Sequence, residues 1–280
     1  MVIDGARVVT RDASPANAVK ITEIGWYRGS GTDTANFEVG LYSDSAGVAN
    51  TRLFVDATNS SSSAGWITTA VDWTITPSTA YWLGVQMDAH TGSSNIDAAA
   101  SGGSGIDRVT SSTTLPDPFG GGAVLDADGM YAVYALVLPI SAAITGTATA
   151  SITEADVVTG GKTIIITLTN DTWKAAGTGP IGSTADTQAI IDGITSAQSE
   201  AAGWNAVVKV GIETTDVVRT SATVCTITLD AEATYDITAT ETITVTVPAA
   251  AVASGIAYVA SPTFTVDAVS TGNRRRRVLI

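Results

Sequence analysis

The chain has very few residues of the kinds that most often perform catalysis, with one cysteine and one histidine among 280 residues. A single cysteine excludes an intrachain disulfide and a zinc site built from several cysteines. Cys225 alternates with Ile227 and Leu229, so we expect a small buried side chain and not a reactive thiol. His90 follows a predicted strand without a second histidine nearby, and we expect it in a solvated loop. The 27 acidic residues single out no pair for glycoside hydrolysis, so the sequence favours a non-enzymatic protein.

Positive charge is also scarce, because 14 Lys and Arg residues face 27 Asp and Glu residues and the net charge is −13. Four of the basic residues are consecutive: Arg274, Arg275, Arg276 and Arg277. Taking those four positive charges from −13 leaves −17 for the rest of the chain. Phosphate contacts need clustered Lys and Arg, so we expect no nucleic-acid binding by the folded body.

The basic tail, residues 270–280, ends in Val278, Leu279 and Ile280. A block of four arginines is typical of a solvated tail. Three other uses stay open, namely docking on an acidic neighbouring subunit, contact with nucleic acid, and strand addition on another chain by the three apolar residues. We therefore treat the arginines as a candidate assembly tail.

Long hydrophobic runs are absent, since no stretch approaches about 18 consecutive apolar residues, and we expect no transmembrane helix and no membrane partner. The N-terminal sequence MVIDGARVVTRD lacks the pattern of a signal peptide. A composition rich in Thr, Ser and Gly without an export signal is typical of a protein assembled inside a cell and released by lysis, as virus particles are.

The residues that are present indicate an all-β protein of two β-sandwich domains. Threonine alternates with apolar residues in 162–170, 222–229 and 241–247, and further period-two segments fill the first half of the chain. We expect an N-terminal arm at 1–18, with an edge strand as the alternative, followed by a jelly-roll-like sandwich at 19–139, an Ig-like sandwich at 140–269 and the basic tail at 270–280. We also expect a strand at 206–212.

One segment departs from the strand pattern. Ile190, Ile194, Ala197 and Ala201 recur at the spacing of one helical face, which predicts a helix over 184–202 inserted in the second sandwich. Ser183 or Thr184 would cap its first turn, and Gly203 would end it.

Two pairs of residues are candidate binding sites. Asp126 and Asp128 precede a glycine as in the start of a calcium loop, but no glutamate follows at the required spacing, so a turn held by Asp side chains is the alternative to a structural calcium ion. Trp66 and Trp82 are candidates for a glycan platform or an interface, and packing in the core or against a subunit is the alternative. By alternation Trp82 lies opposite Leu83, facing solvent or covered by the arm or a partner subunit. We predict no other cofactor.

The second half of the chain resembles an Ig-like module that recurs in tailed-phage and environmental viral proteins. The resemblance covers 144–269 and is carried by SITEADVVTGGKTIIITLTNDTW, TQAIIDGITSAQSEAAGWNAVV, DVVRTSATVCTITL, YDITATETITVTVPAAAV and SPTFTV. The segments KITEIGWYRGSGTDTANFEVGLYSDSAG and AYWLGVQMD look, more loosely, like jelly-roll modules of phage tail and surface proteins. The resemblance implies a role on the virion and transfers no catalytic residues.

The leading hypothesis is a non-enzymatic phage structural protein exposed on the particle, as a capsid decoration protein or tail appendage. It would act by protein–protein contact with capsid or tail subunits and form a homo-oligomer. The first alternative is an adhesin that binds a host surface glycan or receptor. The second is a cell-surface or extracellular filament subunit whose chains exchange a strand.

Overall fold

The computed structural model describes residues 6–30, 35–88, 95–96, 98–99, 106–110, 113–120, 130–145, 151–175 and 181–269. The protein is mainly β, and the chain divides into two compact units, Met1–Pro139 and Ile140–Ile280. Among the described residues, no helix is long and apolar enough to cross a membrane.

The described strands of the first unit form two main antiparallel sheets and one small pair. The strands are β1 (Ala6–Ala13), β2 (Ala18–Ser30), β3 (Ala35–Ser45), β4 (Val48–Ser61), β5 (Gly65–Thr74), β6 (Ala80–Asp88), β7 (Asn95–Ile96), β8 (Ala98–Ala99), β9 (Ile106–Thr110), β10 (Met130–Tyr131) and β11 (Val133–Pro139). One sheet has the order β4-β3-β6-β1-β9, and the other has the order β11-β2-β5 with β7 also paired to β2. Strands β8 and β10 pair separately.

The two sheets of the first unit pack face to face around one core, as in a β-sandwich. Alternate residues point inward, so Val39 and Val85 of one sheet meet Ile24 and Trp26 of the other. Trp26 packs edge-to-face on Phe37 at 5.5 Å between ring centroids. Burial of each large apolar side chain contributes about 1.5–3 kcal/mol, so this shared core holds the sheets together.

The predicted N-terminal arm is wrong for its described part, because β1 lies inside the five-stranded sheet. It pairs with β6 along its whole length and with β9 on its other side. Val8 and Val9 are both fully buried, on opposite faces of the strand. A strand with partners on both edges and apolar residues on both faces is a central strand and not a projecting arm.

The second unit contains two further four-stranded sheets and short helices. Its strands are β12 (Ser141–Thr145), β13 (Ser151–Thr153), β14 (Thr163–Thr169), β15 (Ile194–Ser196), β16 (Val217–Arg219), β17 (Val224–Thr228), β18 (Glu241–Val245) and β19 (Thr263–Asp267). Its helices are α1 (Glu154–Thr159), α2 (Thr184–Asp192), α3 (Val208–Gly211) and a 3₁₀ turn at Ala249–Ala251. The sheet orders are β12-β14-β17-β16 and β13-β19-β18-β15, with β13 and β19 parallel and the other pairs antiparallel.

The Thr-alternating segments are strands, as predicted, and their apolar residues point inward. Ile164 and Ile166 of β14 are fully buried, as are Cys225 and Ile227 of β17. The residues between them, Ile165 in β14 and Thr226 in β17, alternate to the other face of the sheet. A half-buried strand of this kind needs the period-two pattern that the sequence carries.

The same alternation places one carboxylate inside the second unit. Glu241 of β18 is fully buried. Its carboxylate accepts hydrogen bonds from the Tyr235 hydroxyl at 2.8 Å, the Trp204 amide at 2.9 Å and the Ser196 hydroxyl at 3.2 Å. Three donors compensate for the lost hydration of the charge, so this residue joins three segments of the unit.

The predicted long helix is confirmed at its start and wrong at its end. Ser183 is the N-cap: its hydroxyl accepts from the Asp186 amide at 3.2 Å, and the Asp186 carboxylate accepts from the Ser183 amide at 2.9 Å. Helix α2 then stops at Asp192, and Gly193 passes against the backbone that follows β18, where an added Cβ would lie 2.4 Å from the Thr246 carbonyl oxygen. The Thr246 amide donates to the Gly193 carbonyl at 2.9 Å, and the chain continues as strand β15.

A second correction concerns 206–212, predicted as a strand. This segment contains the short helix α3, whose Val208 is buried and whose Val210 is exposed. Alternating valines fit either one helical turn or a strand, so the pattern alone was ambiguous at this length.

Candidate functional site

Three aromatic side chains share the outer face of the β11-β2-β5 sheet. Tyr27 of β2 lies directly opposite Trp66 of β5, and Tyr134 of β11 lies opposite Gly25 of β2. The neighbouring residues in each strand point into the core, so these three point away from it. We call this set, with Glu23 and Gly25, the aromatic surface.

The aromatic surface is a connected cluster with defined ring geometry. The ring centroids of Tyr27 and Trp66 are 5.5 Å apart with an interplanar angle of 80°, and those of Trp66 and Tyr134 are 5.1 Å apart with an angle of 62°. Both pairs are edge-to-face, the arrangement that the ring quadrupoles favour. Trp66 is nevertheless 54% exposed, so a large aromatic side chain is held in place while much of it faces solvent.

Gly25 provides the room for Tyr134. A Cβ at this glycine would lie 2.2 Å from Cε1 and 2.3 Å from Cζ of the Tyr134 ring. The ring therefore covers the glycine backbone of the neighbouring strand, which brings it within reach of Trp66 on the strand beyond. Any side chain at position 25 would displace the tyrosine.

A hydrogen bond fixes the far end of Tyr134. Its hydroxyl donates to Oε1 of Glu23 at 2.6 Å. This bond, together with the nearby negative charge, raises the pKa of the Tyr134 hydroxyl above its ordinary value. The surface thus combines apolar ring area with a carboxylate whose direction is set by the tyrosine, and Leu136 on the same strand adds exposed apolar area at 55% exposure.

Trp82, the second of the two candidate tryptophans, is fully buried, so it packs in the core, which was the alternative to an exposed platform or interface residue. It packs in a second cluster with Val9, Tyr42 and Phe119, formed where 113–120 covers the outer face of the five-stranded sheet. Its indole Nε1–H donates to Oδ1 of Asp44 at 2.8 Å. The alternation placed Trp82 correctly on the face opposite Leu83, but a segment of its own unit covers that face.

The Asp44 carboxylate also pairs with an arginine. Arg11 Nε lies 2.7 Å from Asp44 Oδ1. The hydrogen bond from Arg11, followed by that from Trp82 and the Gly47 amide, holds the pKa of Asp44 below its usual value. The Asp44 carboxylate therefore anchors the buried Trp82 at the edge of the second cluster.

Several predicted residues lie outside the described residues: Asp126, Asp128, His90, and Arg274 to Arg277. The calcium loop and the assembly tail therefore stay predictions. Within the part of the chain that is described, no group of three or more His, Cys, Asp or Glu side chains is placed to hold a metal ion.

Cys225 is a free, buried cysteine, as predicted. Burial raises the pKa of its thiol to about 12. A thiol needs its thiolate form to react, so this residue is inert in the folded chain.

Sequence reasoning missed Tyr27, Tyr134, Glu23 and Gly25 as parts of one surface. The period-two pattern assigns Tyr134 to the outer face of its strand, but only strand order and register bring residues from three strands together. A glycine within a strand pattern is the signal that was available, because it often marks close approach of another group.

Comparison with protein-family models, with curated proteins and with solved structures finds no match for this chain.

Proposed function

We propose that this chain is a non-enzymatic surface protein of a tailed-phage particle that acts by contact through the aromatic surface. The observation that carries the contact role is Trp66, which is exposed yet fixed between Tyr27 and Tyr134. Tryptophan and tyrosine are the residues that most often dominate binding energy at interfaces.

Preorganisation supports a recognition role. A binding surface loses affinity when mobile side chains must be ordered on contact, at about 0.5–1.5 kcal/mol for each one. Here the edge-to-face contacts, the close fit over Gly25 and the Glu23 hydrogen bond already restrict the rings. A partner would bind an apolar surface that needs little further ordering.

The placement on a virion comes from the sequence resemblance, and so do the finer fold assignments. A jelly-roll-like first unit is compatible with its two antiparallel sheets, and an Ig-like second unit with its two four-stranded sheets. We propose capsid or tail subunits and further copies of the chain as partners, on the outside of the particle as a decoration protein or tail appendage.

Purified particles from a culture that produces this chain test the proposal. Mass spectrometry should find the chain at a fixed ratio to the major capsid or tail protein, and gold-labelled antibody should decorate symmetric positions in electron micrographs. A chain that is absent from purified particles and stays in the soluble fraction would overturn the virion assignment.

A second candidate, binding of a host glycan, is favoured by the chemistry of the same surface. Sugar rings present C–H groups that stack on aromatic faces and hydroxyl groups that donate to carboxylates. The surface offers Trp66 beside Tyr134, whose hydroxyl is bonded to Glu23. The surrounding acidic chain, with a net charge of −13, disfavours sialylated or phosphorylated glycans. Neutral hexose polymers are therefore the class to test.

An array of neutral and acidic oligosaccharides separates this candidate from protein contact. Binding to neutral oligosaccharides should disappear in Trp66→Ala and persist in Trp66→Tyr, which keeps an aromatic face. Leu53→Ala serves as the matched control, since it removes exposed apolar area from the same unit but outside the aromatic surface. Equal loss in the control, or no neutral hit from the wild-type chain, would exclude the glycan candidate.

A further inference from the structure

A second surface feature of the first unit is an open cleft between its two sheets. It has a volume of about 280 Å³ and is lined on one side by Thr10, Tyr81 and Leu83 of β1 and β6, and on the other by Val133, Ala135 and Val137 of β11. A space of this size holds several water molecules, so the cleft is large enough for side chains of a ligand. We call it the edge cleft.

Unequal sheet width explains why the edge cleft exists. The five-stranded sheet continues through β1 to β9, whereas the facing sheet ends at β11 among the described residues. Inner-face residues of β1 and β6 therefore extend past the last strand of the opposite sheet. One more strand beside β11 would cover them.

The backbone of β11 is oriented to receive such a strand. The Tyr27 amide donates to the Ala132 carbonyl at 2.9 Å, so the backbone of residue 132 faces β2. Residues of an antiparallel strand alternate between facing one neighbour and facing the other, so Val133 and Ala135 direct their amide and carbonyl groups away from β2. The amide and carbonyl groups of Val133 and Ala135 therefore face outward along the edge of the sheet, on the side where the cleft opens.

Thr10 is a buried polar residue in the wall of the edge cleft. The residue is only 5% exposed, and its hydroxyl oxygen has no hydrogen-bond partner among the described residues. A buried hydroxyl without a partner costs about 1–3 kcal/mol, so this residue is an unfavourable feature of the cleft wall.

We propose that the edge cleft accepts an extended segment of a second copy of this chain, residues 274–280, as an added strand beside β11. Val278, Leu279 and Ile280 have the strand propensity and apolar character that the cleft lining requires. The preceding arginines complement Asp12, an exposed carboxylate of the cleft lining, within a chain that is otherwise acidic. This inference is independent of what binds the aromatic surface.

The first test measures self-association of the full chain by size-exclusion chromatography with light scattering over a range of concentrations. Wild-type chain should show a mass that rises with concentration. Leu279→Asp should weaken association at least about tenfold, because a charge would enter an apolar cleft. Asn273→Asp is the matched control and should associate as the wild type does, since it adds the same charge outside the apolar residues.

The second test locates the contact by disulfide formation between two differently tagged single variants. Asp12→Cys mixed with Arg277→Cys should give the mixed dimer under mild oxidation. Thr68 is exposed on the outer face of β5, away from the edge cleft. Thr68→Cys should therefore give at least about tenfold less mixed dimer with Arg277→Cys.

A wild-type chain that stays monomeric throughout, association that Leu279→Asp leaves unchanged, or equal crosslinking to positions 12 and 68 would each overturn the proposal. An edge cleft occupied by a segment of its own chain would give the monomeric result, so that arrangement is distinguished from exchange between copies.

Discussion

Replacing Gly25 by alanine should destabilise the first unit when Tyr134 is present and stabilise it when Tyr134 is absent. The added Cβ would lie 2.2 Å from the tyrosine ring, a separation that real Cβ atoms essentially never show. The ring must then leave its place over the strand. That movement breaks its contact with Trp66 and its hydrogen bond to Glu23.

The expected change in the free energy of unfolding follows from the contacts that the Tyr134 ring loses. An aromatic pair contributes about 0.5–1.5 kcal/mol, and a hydrogen bond to a carboxylate about 1.5–3 kcal/mol, the latter reduced here because Glu23 is partly exposed. Against this, alanine restricts the unfolded chain and gains about 0.4–1 kcal/mol over glycine. Gly25→Ala should therefore cost about 1–3 kcal/mol in the wild-type background and gain about 0.5 kcal/mol in Tyr134→Ala.

Urea unfolding of the four chains of this double-mutant cycle, followed by circular dichroism, measures the coupling. The two compact units can unfold separately, so the transition of the first unit is identified as the one that Tyr134→Ala shifts. Tyr134→Phe is the matched control: it keeps the ring and removes only the hydroxyl, so Gly25→Ala should stay destabilising in that background. If Gly25→Ala costs the same with and without the Tyr134 ring, the proposed close fit is refuted.

Three further predictions concern buried and paired side chains. Glu241→Ala should destabilise the second unit by about 3–5 kcal/mol in urea unfolding, because three donors lose their acceptor, and Glu241→Gln should cost less because one acceptor oxygen remains. Cys225 should react with a thiol reagent at pH 8 at least about 1,000-fold more slowly in the folded chain than in urea, since its buried thiol stays protonated. The folded-state pKa of Asp44 is depressed, so its contribution to stability is present above the unfolded pKa of about 3.9 and is lost as the pH falls through the folded value. The melting temperature of the wild-type chain should therefore exceed that of Asp44→Asn at pH 7, with a difference that shrinks below about pH 4.

Each of these has a clear contrary result. Unchanged stability of Glu241→Ala would mean that the buried carboxylate is not a structural anchor. Rapid labelling of Cys225 in the folded chain would contradict its burial. A melting-temperature difference for Asp44→Asn that is constant from pH 7 to pH 3 would show that the carboxylate does not act through its charge.

The sequence predicts strands well in this protein because burial on one face imposes a period of two. Ile164, Ile166 and Ile227 are buried as their alternation requires, and even the inward position of Glu241 follows from the phase of its strand. The helix start was also predictable, since the capping box of Ser183 and Asp186 depends on residues three apart in the chain.

The errors arose where a distant segment decides the outcome. Helix α2 ends at Asp192, where the next residue, Gly193, contacts the backbone at Thr246, and periodicity within 184–202 contains no information about that contact. Trp82 was placed on the correct face, but its cover comes from 113–120 and could not be inferred from alternation. Strand β1 carries apolar residues on both faces, which is the signature of a central strand and was mistaken for an arm.

The aromatic surface depends most strongly on long-range order. Its residues come from positions 23–27, 66 and 134, and they meet only because β11, β2 and β5 are neighbours in that order. Strand order is set by the whole core and not by any local pattern. Trp66 could be singled out from the sequence, whereas the neighbours that fix it could not.

Hydroxyl-radical footprinting tests the central claim, that the aromatic surface is where this protein makes contact. The free chain, purified particles and particles attached to cells would be oxidised in parallel. We predict that Trp66 and Tyr134 are modified readily in the free chain and are protected in at least one bound state, while Leu53, which is exposed elsewhere on the same unit, is modified equally throughout. Equal modification of Trp66 in all three samples would contradict the account.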